Sequence, residues 1–554
     1  MKILGLGGST HDYSCCLLEN GKIVRAIEEE RLSKEKHGTG VRSILMQCIE
    51  YCIRETKLED ISYIVTNDIL EYGYQLDKNI LNNIIKINHH VSHASSAYFT
   101  SGMEEASILV LDGSGSHFRE KVRETISCET CSIGYAKNTN IDLQEKLLGK
   151  DECYFVRDLV SGIEKKTYFT NNSISSLYEH LSYACGFGSF GEGKTMGLSA
   201  YGKDTYLRDI YKYISFSTNK LDFHVDYLGL QNFIYSLYQD SNVDRFTLQA
   251  DIAYAAQFIF EKYVLNLLNV LYSKTHCENL CFAGGAALNS VLNGKIKKYT
   301  PFKNVYVFPA AGDSGTAIGA ALYTYYKIDK INKTYKPEKM SNCFFGIKYS
   351  DKIIEDALIA NENKITHKKM EFSSLCEYVA DELRKDKIVG WYQDGCEFGP
   401  RALGNRSILA FPHNKDMKDI INQRVKFREN FRPFAPVVKE EFLDEYFLSD
   451  IKNNPYMLFV GKVKEDKKHL IPAVTHVDGT ARLQTVNKKE NNKLYQLLDN
   501  LQRLTGIPIL LNTSFNIKGR PIVETPGDAL SAFIECDMDL LVIGNYIVTK
   551  TKSI

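Results

Sequence analysis

Residues 107–116 read SILVLDGSGS, an apolar run of strand length that ends in an aspartate and a Gly/Ser turn. Residues 132–138, SIGYAKN, follow as its partner strand. The chain opens on the same plan. KILGLGG at 2–8 and SCCLL at 14–18 read as two strands around a polar turn. ENGK at 19–22 is a hairpin turn, and IVRAIEEE continues the sheet. A strand, polar turn, strand unit that occurs twice predicts a duplicated α/β domain with a nucleotide cleft between its halves.

Outward from this stretch the pattern continues. Residues 42–55 carry helical periodicity, and ISYIVTND at 61–68 is another strand. Residues 140–260 are expected to be mostly helical with loops, broken by a Gly-rich interruption from Phe187 to Gly202. LCFAGGAALNSVL at 280–292 reads as strand, glycine turn, helix, and VYVFPAAGDSGTAIGAALYTYY at 305–326 repeats that plan. A polar, Lys-rich segment at 327–342 is the linker candidate. Beyond it a second α/β unit is expected, with strands near 387–392, 456–463, 507–512 and 540–549.

Composition bounds the function. The 554 residues carry 68 Lys plus Arg against 68 Asp plus Glu, so the formal net charge is zero. Proteins that wrap nucleic acid or lie on anionic membranes usually need a basic excess. Neither partner is therefore expected, although a local basic pocket fits. No apolar run approaches the ~20 residues of a membrane span, and the N-terminus turns polar too soon for a signal peptide. The 14 cysteines are scattered and often set in apolar segments, which reads as buried free thiols of a cytoplasmic protein. Cys128 and Cys131 form a CxxC with no second ligand pair nearby, and coincidence accounts for it.

Two sets of residues carry chemistry. His89 and His93 in NHHVSHASSAY are four apart and would share one helix face. Asp112 and Asp313 each stand at a strand–turn junction. Two imidazoles with one or two carboxylates suit Fe(II), Zn(II) or Mn(II). The plainer alternative is that each aspartate caps the next helix or its own turn. Glycines at 113, 115, 284, 285, 312 and 315 could bring backbone N–H groups against phosphate or a nucleoside. The C-terminal half holds the second set. EFGPRALGNRSIL at 397–409 contributes Arg401 and Arg406, and KFRENFRPFAP at 426–436 contributes Lys426, Arg428 and Arg432. THVDGTARLQTV at 475–486 adds Arg482, and LNTSFNIKGRPIV at 511–523 adds Asn512, Ser514, Asn516 and Arg520. Arginine forks match phosphate oxygens in pairs, so an anion site is expected, with some of these residues bridging instead to acidic side chains.

In chain order, GGSTHDYSCCLLENGKIVRAIEEERLSKEKH, HHVSHASSAY, EGKTMGLSAYG, FAGGAALN, GDSGTAIGAAL, EFGPRALGNRSIL, NFRPFAP, THVDGTARLQTV and LLNTSFNIKGRPIVETPGDAL are spread over nearly the whole chain. Together they resemble the O-carbamoyltransferase family that includes NodU, CmcH and TobZ. The resemblance implies two domains. Residues 1–345 would form a TsaD-like carbamoyl-transfer domain with a duplicated actin/Hsp70-like (ASKHA) core, holding the metal and a nucleotide. Residues 346–554 would form a YrdC-like, open twisted α/β domain that makes carbamoyl adenylate. Carbamoyl phosphate and ATP would supply the carbamoyl group, with Mg accompanying ATP, and a hydroxylated small molecule such as a sugar or natural product would accept it.

By matched motif, the resemblance implies His89, His93, Asp112 and Asp313 as metal ligands, for Fe(II) or another divalent ion. His11 would be the base or orienting group for the acceptor hydroxyl, and a histidine near its ordinary pKa suits that work. Lys36, Gly284, Gly285 and Asn289 would contact the nucleotide. Arg401, Lys426, Arg432, Arg482 and Ser514 would hold carbamoyl phosphate and the ATP phosphates. The GGST turn before His11 departs from the Asn-containing turn of the family. Two other functions compete. A fused tRNA threonylcarbamoylation enzyme would have to hold an anionic anticodon arm, which the zero net charge disfavours. A non-catalytic actin-like nucleotide-binding scaffold would not need the His/Asp set or the arginines. No coiled-coil heptads set an oligomeric state, and a homodimer is one arrangement left open.

Overall fold

The computed structural model describes residues 1–38, 47–70, 83–119, 126–157, 164–240, 242–328 and 337–551. They form two compact units of mixed α/β structure. The first is built chiefly from Met1–Ile64 and Met340–Ile554, the second from Val65–Leu70 and Ile85–Lys339.

In the first unit, Lys2–Gly7, Ser14–Glu19 and Lys22–Glu28 form an antiparallel meander. Asn20 and Gly21 turn its first hairpin with φ of 50° and 83°, the left-handed pair a tight primed turn requires. The C-terminal part is a ten-stranded mixed sheet. Its order from one edge is Ile365–Lys369, Tyr546–Lys550, Leu540–Ile543, Val389–Tyr392, Arg406–Ala410, Ile509–Ser514, Ala435–Lys439, Thr480–Val486, Phe459–Val463 and Phe447–Leu448. Two neighbouring pairs are parallel, Val389–Tyr392 with Leu540–Ile543 and Ala435–Lys439 with Thr480–Val486. The amphipathic helices Phe372–Arg384 and Asn492–Thr505 pack their leucines into its core, beside the chain's single tryptophan, Trp391.

The second unit is organised around the strand Glu105–Leu111, buried from Ala106 onward. It pairs antiparallel with Ile126–Lys137 on one side and parallel with Asn279–Ala283 on the other. Asn279–Ala283 is in turn parallel to Asn304–Val307. A third parallel pair joins Val65–Asn67 to Ile85–Ile87. The same succession, an antiparallel meander followed by parallel strands, thus occurs in residues 2–87 and again in 105–307. This is the duplicated core expected from the sequence. The helix His89–Ser101 crosses the helix Thr316–Tyr323, and a Cβ on Gly319 would lie 1.8 Å from the carbonyl oxygen of Ser92. Only glycine permits that approach.

The expectation of a mostly helical 140–260 needs correction. Asn140–Gly149, Asp151–Arg157 and Glu164–Thr170 are strands, and helices begin only at Ile174. The residues of Asn140–Gly149 alternate between exposed and half-buried, a period of two that mixed charged and apolar residues obscure in the sequence. The Gly-rich stretch 187–202 contains a short helix, Glu192–Leu198. The helix expected over 42–55 is seen as Gln47–Ile53. Its start, and residues 329–336 of the expected linker, lie outside the described residues. All 14 cysteines are unpaired, and only Cys153 is exposed. Among the described residues no helix is long and apolar enough to cross a membrane.

Candidate functional site

The second unit brings His89, His93, Asp112 and Asp313 together. All four are buried, and one ligand atom from each lies within 4.8 Å of the others. The two histidines occupy the first turns of the helix His89–Ser101, whose N-cap Asn88 accepts from the backbone N–H of Val91. That helix start is anchored. The His89 N–H donates to Asp68 Oδ1 at 3.0 Å and to Ser116 Oγ at 2.9 Å. Asn88 Nδ2 donates to Ser116 and to the buried Glu129. Asp112 directly follows the strand Glu105–Leu111, and Asp313 opens the turn before Thr316–Tyr323.

Contacts within the cluster are close. The Nε2 atoms of His89 and His93 are 3.0 Å apart. Asp112 Oδ2 lies 2.9 Å from His89 Nε2 and 3.5 Å from His93 Nε2, and Asp313 Oδ1 is 3.6 Å from both. Both rings have buried Nδ1 atoms without hydrogen-bond partners, so their polar contacts are made at the centre. No side chain caps the helices that follow Asp313, so helix capping does not account for that residue. Burial disfavours the imidazolium, yet hydrogen bonds to Asp112 and Asp313 outweigh it and push His89 up to about 10. Burial and the neighbouring Asp313 act to raise Asp112, but both histidines hold it well below the usual carboxylate range. A centre that would otherwise need shared protons fits a divalent cation, and its N₂O₂ donor set matches iron, zinc or manganese.

Of the residues expected to contact a nucleotide, the glycine turn lies beside this cluster. A Cβ on Gly285 would sit 3.5 Å from Asp112 Oδ1. Gly284, with φ of 87°, packs so tightly that a Cβ would be 2.1 Å from the Leu111 carbonyl oxygen. The Asn289 amide is engaged structurally: Oδ1 accepts from the Leu292 N–H at 3.0 Å, and both amide atoms bond Gln257. Lys36 belongs to the first unit, where its charge helps depress the ammonium of Lys426.

Also in the first unit, His11 Nδ1 lies 3.1 Å from Asp12 Oδ2, and the other Asp12 oxygen takes His37 Nδ1 at 2.8 Å. Asp12 and His37 both adopt left-handed φ, 53° and 61°. The His37 N–H donates to Glu30 Oε2 at 3.0 Å. Burial acts to raise the Asp12 carboxyl, but the two histidines bring it below its ordinary value. Asp12 thus faces the Nδ1 atoms of both histidines, one with each carboxylate oxygen. The sequence reading missed Asp12 and His37; the adjacency of Asp12 to His11 was the available signal.

The basic set gathers in the same unit. Lys426 is buried, and its ammonium donates to the Ser514 carbonyl oxygen at 2.5 Å and to Asn516 Oδ1 at 2.7 Å. Burial lowers Lys426 far below its usual value, and Arg428 and Arg432 lower it further. Burial and Arg432 bring Arg401 down to about 10 and Arg428 down to about 9. Arg482 is depressed by burial and then by Arg401, Arg428 and Arg432. Among the described residues neither the Arg401 nor the Arg482 side chain has an acidic partner, and each keeps a buried, unpartnered Nε. Arg432 is lowered by burial alone and faces Glu429 at 3.8 Å, but the other four are lowered by burial and by neighbouring arginines, and together they call for an anion. Arg428 was in the sequence reading but not among the five chosen residues. Two other arginines from the same motifs have structural roles. Arg406 is fully buried, lies 3.6 Å from the centroid of the Tyr392 ring and donates to the carbonyls of Gln393 and Asp394. Arg520 pairs with Glu535 at 2.9 Å on the surface.

Comparison with known proteins gives a consistent result. Residues 59–322 match the profile of the carbamoyltransferase N-terminus, and residues 380–550 that of the carbamoyltransferase C-terminus. The nodulation protein NolNO of Sinorhizobium fredii is 34% identical over 98% of this chain and 79% of its own length. An uncharacterised protein of Synechocystis is 32% identical over 99% of this chain and 97% of its own. Among solved structures, HypF of T. kodakarensis covers 61% of this chain and 49% of its own at 13% identity, with a TM-score of 0.38. Component A of the Acidaminococcus fermentans (R)-2-hydroxyglutaryl-CoA dehydratase covers 60% of this chain and all of its own at 14% identity, with a TM-score of 0.36.

Proposed function

The chain belongs to the carbamoyltransferase family, and from that premise we propose that it is an ATP-dependent O-carbamoyltransferase that works through carbamoyl adenylate. The observation that carries the proposal is the cluster of Arg401, Lys426, Arg428, Arg432 and Arg482, four of which are lowered by burial and by neighbouring arginines. A site that concentrates positive charge out of water suits the phosphates of carbamoyl phosphate and ATP together.

In this scheme the YrdC-like C-terminal part hydrolyses carbamoyl phosphate to carbamate and phosphate. A carbamate oxygen then attacks the α-phosphorus of ATP, and pyrophosphate leaves. Carbamate anion is a poor electrophile, and adenylation removes its charge and provides AMP as a leaving group. Arg401, Arg428, Arg432 and Arg482 neutralise the charge that builds on the transferring phosphates. Lys426, fixed by Ser514 and Asn516, presents an ammonium at a set position. In the second half-reaction His11 Nε2 takes the proton of an acceptor hydroxyl while Asp12 holds Nδ1. The hydroxyl oxygen bonds the carbamoyl carbon, and AMP departs. A divalent ion held by His89, His93, Asp112 and Asp313 would act as a Lewis acid on a carbonyl or phosphoryl oxygen. Iron is the expected metal. The acceptor is a hydroxyl of a small molecule, of sugar or natural-product type.

The test is pyrophosphate release from ATP with carbamoyl phosphate as the only other substrate. Release that requires carbamoyl phosphate, and needs neither threonine nor tRNA, supports the proposal. ATP binding with no release of pyrophosphate or AMP refutes it in favour of a nucleotide-binding scaffold.

A further inference from the structure

Residues 28–31, EEER, carry a buried ion pair that no step of the proposed chemistry uses. Arg31 is 1% exposed and Glu28 6%. Arg31 Nε donates to Glu28 Oε2 at 2.8 Å. One further atom of each group is directed at one distant residue of the same unit, Gly399. The Gly399 N–H donates to Glu28 Oε1 at 2.5 Å, and Arg31 Nη2 donates to the Gly399 carbonyl oxygen at 2.6 Å. One residue is therefore gripped at both its backbone donor and its backbone acceptor, and the pair closes the ring.

Gly399 stands two residues before Arg401, in the loop between Glu397 and Arg406. The rest of that loop is pinned to the strands that carry the other anion residues. Glu397 Oε1 accepts from the backbone N–H of Leu403 and Asn405. Gln484, two residues from Arg482, donates to the Leu403 carbonyl oxygen at 2.8 Å. Asn512, two residues from Ser514, donates to that of Ala402 at 3.2 Å. These contacts fix the loop after Arg401. Before it, Glu28 and Arg31 grip Gly399. A guanidinium set against phosphate must be placed to within a fraction of an ångström to use both its forks. A buried ion pair adds little net stability after its desolvation cost, so what this pair supplies is definition of a backbone position.

We propose that Glu28 and Arg31 form a positioning clamp that sets the Arg401 loop for phosphate binding, a role that rests on the anion-site reading above. Neither residue need touch substrate.

Pyrophosphate alone is the probe, titrated calorimetrically into the full chain, with thermal melts in parallel. Arg31→Met removes the grip on the carbonyl, and the isosteric Glu28→Gln weakens that on the N–H and serves if the first variant does not fold. Both are expected to raise the pyrophosphate Kd about tenfold while still melting cooperatively. Arg31→Lys keeps the charge but loses the fork, and its Kd is expected between wild type and Arg31→Met. Lys34→Met breaks the ion pair from the same segment to Asp528 and is expected to lower the melting midpoint without changing the Kd. In a steady-state assay the clamp variants raise KM for carbamoyl phosphate more than they lower kcat. Folded clamp variants that bind pyrophosphate as tightly as wild type overturn the clamp alone. A wild-type protein that does not bind pyrophosphate overturns the anion site, and the clamp falls with it.

Discussion

Replacing Arg401 with methionine should make the unliganded protein more stable and its response to anions weaker. Burial and Arg432 bring the Arg401 guanidinium from its ordinary value to about 10. A folded-state pKa below the unfolded one means that the fold disfavours the charged form. The penalty is complete below about pH 10, where the group is charged in both states, and is relieved as pH rises through the folded value. At neutral pH it amounts to about 3 kcal/mol as an upper bound. Among the described residues Arg401 has no acidic partner that methionine would forfeit, and its Nε is buried and unpartnered. Lost packing of the side-chain stem and partial solvation reduce the gain, so a net stabilisation of about 1–2 kcal/mol is expected. Pyrophosphate at a hundred times its Kd should stabilise wild type by about 2.7 kcal/mol and the variant by much less. The assay is urea unfolding at pH 7 in phosphate-free buffer, with and without pyrophosphate. The two proteins should change order: the variant more stable without pyrophosphate, wild type equal or better with it. A variant that is less stable without the anion yet retains the full pyrophosphate response would show that the Arg401 charge is neither strained by the fold nor used by the anion.

Asp12→Asn should lower carbamoyl transfer roughly a hundredfold or more, because an amide no longer fixes the His11 tautomer, while carbamoyl-phosphate-dependent pyrophosphate release stays near wild type; loss of both activities in a folded variant would contradict a separate role for His11. His93→Ala should abolish stoichiometric binding of a divalent metal, read by elemental analysis after dialysis against iron, zinc or manganese, and retained metal would remove His93 from the ligand set. Gly284→Ala puts a methyl where the Leu111 carbonyl now sits and forces a left-handed φ on alanine. The end of the strand before Asp112 must shift, so a loss of about 2 kcal/mol or more in stability is expected, together with weaker metal binding; unchanged urea unfolding would show that the turn yields more easily than its contacts imply.

What was legible in the sequence was local. Periodicity places His89 and His93 on one helix face, and the strand–turn junctions put Asp112 and Asp313 where each carboxylate reaches those histidines. The Asn-Gly turn and the glycine after Ala283 follow from φ alone. The strands of residues 140–170 were not legible, because charged residues on both faces mask a period of two. Nor were the partners of residues 28–51. Glu28 and Arg31 meet a residue more than 350 positions away, and Tyr51 bonds Glu524 at a separation of 473. No local pattern encodes such pairings. Arg401 and Arg406 illustrate the limit most sharply: five residues apart in one motif, both near glycines, one left without an acidic partner and the other wrapped by carbonyls and an aromatic ring. Residue type and spacing are alike for both, and only the packed fold separates them.

The same distinction explains how a chain of zero net charge can hold phosphates. With 68 charges of each sign, the whole-molecule field is weak, and long-range steering of anions contributes little. Affinity must instead come from local desolvation. Arg401, Arg428 and Arg482 are lowered first by burial and only then by neighbouring arginines, Arg432 among them in each case, so the fold carries an electrostatic cost that an anion offsets when it binds. Charges buried in this way are screened by salt far less than surface ones. Binding of pyrophosphate should therefore weaken only modestly between low and physiological ionic strength, while surface pairs such as Arg520–Glu535 lose their small contribution over the same range. A steep loss of affinity over that range would instead assign the anion to an exposed basic patch.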